Sequence, residues 1–221
     1  ARTPTWAGPW DLTTANTGIV SVGVGDDESD IIASAFNPSD NIAYNLYQAS
    51  DITNTSEGIK VGEFVIRDGG ADNVDADNAA TDLNSITFSL SNFSNINQVA
   101  LYDGSTIVES KAAAASITFD VINSISASDN STATFSLYVS FNSAVTDNDN
   151  FQFQITNTDA SGSTFAFIDG ADGTGGAVTP LVGDDNRIEV TSTELRFISN
   201  ATPVLLNAVM APALTIQATV V

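Results

Sequence analysis

Five carboxylates, Asp68, Asp72, Asp75, Asp77 and Asp82, fall in one short stretch rich in Gly, Asn and Ala, residues 68–82 (DGGADNVDADNAATD). Carboxylates and loop carbonyls are the ligands calcium takes, roughly six to eight oxygens around each ion. The stretch is the leading candidate metal site, and calcium is the one cofactor its residue types suggest. Its spacing departs from the helix-loop-helix calcium motif, since no Gly follows the third ligand position and no Glu stands at the twelfth. Two readings stay open: a calcium-holding loop, or a solvated acidic turn. Thinner acidic groups are Asp26, Asp27, Glu28 and Asp30, then Asp147 with Asp149, and Asp184 with Asp185.

Most catalysis is excluded by residue type. The chain has no His and no Cys, which removes the common triads and dyads, histidine- and thiolate-held zinc, and thiol redox chemistry. A carboxylate pair could hydrolyse glycosides, but nothing sets one acid in an apolar pocket beside an ionised partner. Residues 173–176 (GTGG) lack the Lys and the following helical pattern of a phosphate loop, and read as a hairpin tip. The expectation is a protein without a catalytic centre.

Charge narrows the partners. The net charge is −21, with six Lys and Arg against 27 Asp and Glu, so the chain repels phosphate backbones and anionic membranes alike. Nucleic acid is not an expected partner. Such self-repulsion is relieved by salt or divalent cations, which suits a saline or calcium-containing habitat. No apolar run approaches the ~18 residues of a membrane helix, and the chain does not open on a signal segment. It reads as a mature product or fragment, without membrane insertion.

The elements that must position these groups are strands. Apolar residues make up 43% of the chain, and period-two alternation recurs between clusters of Asn, Asp, Ser and Gly. Strands are expected at residues 59–67, 85–90, 116–121, 132–141 and 151–155. Residues 99–102 and 106–109 should form a hairpin about Asp103-Gly104, and 187–190 should pair with 194–198. Residues 214–221 supply a last strand, and 111–115 are too short for a helix. Phe64, Phe88, Phe119, Phe135, Phe141, Phe151 and Phe153 alternate as a core would. The fold class is all-β, an antiparallel β-sandwich of immunoglobulin-like, Greek-key or jelly-roll type, with an incomplete second sandwich at the C-terminus. Residues 1–50 read as irregular strands of this or a preceding sandwich, 51–190 as the main sandwich, and 191–221 as the opening of a following domain.

Trp6, Trp10, Tyr44 and Tyr47 are candidates for stacking on glycans, against the alternative that they pack in or cap the core. The two lysines, Lys60 and Lys111, are the only amines for an Asn isopeptide staple. Asn54, Asn92, Asn130 and Asn200 open Asn-x-Ser/Thr sequons, which matter if the host glycosylates Asn.

A resemblance runs through residues 55–221. It is carried by residues 64–72 (FVIRDGGAD) leading into Asp75-Ala76-Asp77, then 99–106 (VALYDGST), Thr146-Asp147-Asn148 before Phe151-Gln152-Phe153, and 186–191 (NRIEVT) with Leu195 and Phe197. The chain resembles a module of very large secreted surface proteins of Bacteroidota, the adhesin class that includes gliding-motility filaments. Met210-Ala211-Pro212 and 215–218 (TIQA) are similar to the opening strands of the immunoglobulin-like domain that follows there. The resemblance implies an extracellular, non-catalytic structural or adhesive module. Its partners would be neighbouring copies or adjacent domains, through strand complementation or tandem linkage. The chain stops at Val221 where that family continues, so either it is a piece of a giant protein or a neighbour completes its last strands. Two other functions stay open: a carbohydrate-binding module, and a surface-layer or thread subunit of a halophilic or archaeal cell.

Overall fold

Alternating side chains commit the chain to two stacked sheets. The computed structural model describes residues 29–34, 36–69, 74, 78–121, 125–160, 165–167, 186–192, 194–197 and 216–219. The larger sheet holds β1 (Ser29–Ala33), β3 (Ile59–Asp68), β5 (Ile96–Asp103), β6 (Thr106–Ala112), β9 (Thr132–Phe141) and β11 (Phe165–Phe167). Its order is β11-β1-β3-β9-β5-β6, antiparallel throughout except for the parallel β1/β11 pair. The facing sheet is β10 (Phe153–Ala160), β4 (Thr81–Leu90) and β7 (Ser116–Asp120), with the short β8 (Ser126–Ala127) on the start of β4. The class is an all-β sandwich. No helix among the described residues is long and apolar enough to cross a membrane.

Phenylalanine fills the space between the sheets. Phe64 of β3 meets Phe88 of β4 across the sandwich at 5.7 Å between ring centroids, and stacks on its cross-strand partner Phe135 at 5.7 Å. Phe88 makes edge contacts with Phe119 at 5.9 Å and Phe153 at 6.3 Å. Phe151 then links Phe153 to Phe141. All seven phenylalanines expected in the core are buried and join one connected aromatic network. Burying each contributes about 1.5–3 kcal/mol by area, and each tilted pair about 0.5–1.5 kcal/mol more.

The strand β5 is apolar on both faces, and the fold explains why. Val99 and Leu101 point into the sandwich, whereas Ala100 and Tyr102 point outward and are equally buried. A strap before β3 covers them by laying Ile52 on Ala100 and Tyr102. The strap is tied down by the Asn97 side-chain amide donating to Ala49 O at 2.9 Å. Its turn is closed by Glu57, whose carboxylate accepts from the Thr53 amide at 2.7 Å and from the Thr53 hydroxyl and Asn54 amide. Those bonds, the Thr53 amide first, hold Glu57 below its ordinary pKa. Gly58 passes so close to β9 that a Cβ there would lie 2.9 Å from Val139 O, so only Gly fits.

The β5/β6 hairpin pairs Asp103 with Thr106 around a two-residue Gly104-Ser105 loop, with Gly104 at φ +56°. Residues 113–115 bend into β7 without helix, as expected. The edges of β6 and β7, outermost among the described strands of their sheets, are clasped at their seam. Lys111 Nζ donates to Thr118 O and pairs with Glu109 and Asp120, while Glu109 accepts the Asp120 amide at 3.1 Å. Charged groups at a seam deter strand addition there.

One expected pairing is wrong. The strands expected at 187–190 and 194–198 do not pair with each other. Instead β12 (Ile188–Glu189) runs parallel to β2 (Ile42–Ala43), and β13 (Glu194–Phe197) pairs antiparallel with β14 (Ile216–Thr219). Burial decides this, since Ile188 and Ile42 both enter the core. Residues 29–33 and 42–43 thus pair with the main sandwich, whereas β13 and β14 form a separate two-stranded ribbon.

Candidate functional site

The sandwich has two chemically distinct poles. At one, Asp68 ends β3 and is wholly buried. Its Oδ1 accepts the Thr81 hydroxyl at 2.8 Å, its Oδ2 accepts the Asn130 amide at 2.6 Å, and its own amide donates to Ser131 O at 2.9 Å. Thr81 begins β4 and Asn130 sits at φ +54° in the turn before β9. A buried carboxylate must have its lone pairs satisfied, and here they join the two sheets. Asp82 follows Thr81 on a strand whose side chains alternate, so it faces the other side of β4 from Asp68. Asp72, Asp75 and Asp77 lie outside the described residues. Among the described residues no three His, Cys, Asp or Glu side chains gather around a common point.

At the opposite pole, residues 186–190 are held on both sides. On one flank Asn186 N donates to Ser39 O at 2.9 Å and Ile42 N donates to Arg187 O at 2.8 Å. On the other, Asn148 N donates to Ile188 O at 3.0 Å, Ile188 N to Asp149 O at 2.9 Å and Phe151 N to Asn186 O at 3.3 Å. Asp147 Oδ1 accepts the Val190 amide at 2.9 Å, and Asp149 Oδ2 accepts the Asn95 side-chain amide at 3.0 Å. Asp147 and Asp149 thus serve as backbone and side-chain acceptors. Two exposed apolar residues share this pole, Leu46 at 69% and Phe93 at 42% exposure. Their turns flank the end of β9, where Phe141 N donates to Tyr47 O and Asn142 N to Asn95 O.

Asn186 was not singled out by the sequence as a functional residue. It is buried, has φ +51°, and donates its side-chain amide to Val61 O at 2.9 Å. An Asn after two Asp residues is a turn signal that tolerates left-handed backbone, and that was the one available clue.

The remaining candidates divide by burial. Tyr44 is a buried core residue, and Tyr47 is half-buried against the core. Trp6, Trp10, Asp26, Asp27, Glu28, Asp184, Asp185 and Asn200 lie outside the described residues. Lys60 bonds to Glu63 and lies 4.5 Å from the Phe36 ring centroid, and Lys111 pairs with Glu109 and Asp120, donates to Thr118 O and lies 5.9 Å from the Phe119 ring centroid. Asn54, Asn92 and Asn130 are exposed in turns.

These features define a β-sandwich with structural polar nodes at both poles. No protein-family model matches the chain, and no curated protein matches it significantly.

Proposed function

We propose that this chain is a non-catalytic structural module of an extracellular surface filament or giant adhesin, joined in series to neighbouring copies or adjacent domains. One observation carries this reading. β1 begins opposite Asp68 at one pole, while residues 186–190 run outward at the opposite pole beside Leu46 and Phe93. A domain whose chain passes from pole to pole suits a string of links. The β13/β14 ribbon adds support, because among the described residues it has two strands, and a two-stranded pair is marginal in water and gains from a further strand. Ile216 on this ribbon is 55% exposed.

The test is electron microscopy of the native surface material with gold-labelled cysteines at Asp129 near the first pole and Leu46 at the second. Labels alternating along one axis are expected. Labels side by side, or particles that remain single, would overturn the serial reading.

A second reading, a glycosylated surface-layer or thread subunit of a halophilic or archaeal cell, is favoured by the exposed turn positions of Asn54, Asn92 and Asn130. Intact mass of the native protein separates the two, since added glycan mass at these residues belongs to the second.

A further inference from the structure

We infer that the sandwich is a load-bearing link whose mechanical resistance resides in two shear clamps, one at each pole. The inference rests on the serial reading above and adds where the force is carried. β1 is not an edge strand. It lies between β3, with five residue pairs from Ser29↔Asp68 to Ala33↔Phe64, and β11, with three pairs from Ser29↔Phe165 to Ile31↔Phe167. It starts at the Asp68 pole and runs toward the other, so tension on the preceding chain acts along its own axis.

The outgoing segment is built alike. Residues 186–190 are bonded on one flank to Ser39 and Ile42 and on the other to Asn148, Asp149 and Phe151, with Asp147 closing on the Val190 amide. The segment is antiparallel to the chain leading into β10, through the Asn150↔Arg187 bridge. It therefore points outward at its pole, and tension on Thr191 again acts along the strand.

Ladder bonds lie across the strands. Axial tension loads all the bonds of a clamp together, and they must break in one event. Tension across the strands opens them one after another. Each bond contributes about 1 kcal/mol net, so only simultaneous loading gives a high barrier. Forced unfolding is governed by that barrier rather than by equilibrium stability. Asn186 connects the clamps: its side chain bonds to Val61 of β3, the strand that also holds β1.

The experiment is single-molecule pulling of the full chain through two cysteine pairs. Handles at Ser29 and Val190 load both clamps axially. Handles at Ser29 and Thr132, which sit at the same pole with β3 between their strands, peel β1 sideways. The axial pair should unfold at a force several-fold higher than the peeling pair. Asp147→Ala, at an exposed side chain whose loss spares the core, should lower the axial force and leave the peeling force unchanged. Equal forces in the two directions, or an axial force insensitive to Asp147→Ala, would overturn the inference. Neither result bears on the label pattern that tests serial linkage, so the two failures are distinguishable.

Discussion

The side-chain amide of Asn186 reaches Val61 O at 2.9 Å across 125 residues of sequence, and it does so from a left-handed backbone at φ +51°. Replacing it separates two costs. Asn186→Gly keeps the backbone conformation accessible but leaves Val61 O without this donor, about 1–2 kcal/mol. Asn186→Ala loses the bond and places an alanine in the left-handed region, about 1 kcal/mol more. Urea unfolding midpoints should rank wild type above Gly above Ala. An Ala variant at least as stable as the Gly variant would show that the backbone conformation there carries no strain.

Asp68 joins β3 to β4 through Thr81, and either partner should fail alone. Thr81→Val leaves Oδ1 without the hydroxyl, and Asp68→Ala leaves the Thr81 hydroxyl and the Asn130 N–H without their carboxylate acceptor, each costing about 1–3 kcal/mol. The double variant should cost less than the two singles added, because they remove one shared contact. Chemical denaturation in the presence of a chelator gives the cleanest reading. Loss of stability there identifies a structural carboxylate, and a loss seen only with calcium present would assign Asp68 to the ion.

How much of this was legible in the sequence depends on range. The alternation of residues 132–141 gives β9 to its ends, and the seven alternating phenylalanines are the core, because a period-two pattern is written locally. Partner choice is not local. Ile188 could have paired forward with the next strand, yet it enters the core beside Ile42, far earlier in the chain. The same holds for Asp68. Acidic density marks the stretch, but its burial depends on Thr81 and Asn130, 13 and 62 residues away. For Tyr44 the sequence leaves sugar stacking and core packing side by side, because nothing in its neighbourhood announces that the ring turns inward.

Stability should fall at both ends of the pH scale, for different groups. Burial pushes the Glu63 carboxyl up, but bonds from Lys60 and Ser34, the Lys60 charge and a bond from Ser136 outweigh it and hold it below the ordinary 4.5. A lowered carboxylate contributes stability that is present above about pH 4.5 and lost as pH falls through the depressed value. Glu63→Gln should flatten that acid limb. Tyr102 behaves oppositely. Burial raises it above the ordinary 10.0, with Glu57, Tyr138 and Asp51 adding, so its contribution is present at neutral pH and lost as pH rises past that value. Its hydroxyl is buried without a hydrogen-bond partner among the described residues. Tyr102→Phe should therefore be neutral or up to about 1 kcal/mol stabilising at pH 7, and should flatten the alkaline limb. A clear destabilisation at neutral pH would mean that the hydroxyl has a partner, such as a trapped water.

Calcium is the remaining question for the acidic stretch, whose Asp72, Asp75 and Asp77 lie outside the described residues. An ion bound by the folded chain at 100 times its Kd adds about 2.7 kcal/mol, roughly 5–10 °C in Tm for a chain of this size. At a net charge of −21, any divalent cation also relieves general repulsion, so calcium and magnesium must be compared at equal ionic strength. The expected outcome is a rise with calcium that exceeds the rise with magnesium and disappears when Asp72, Asp75 and Asp77 are all replaced by Asn. Equal shifts for the two ions, retained in the triple variant, would reduce the effect to screening and leave the stretch a solvated acidic turn.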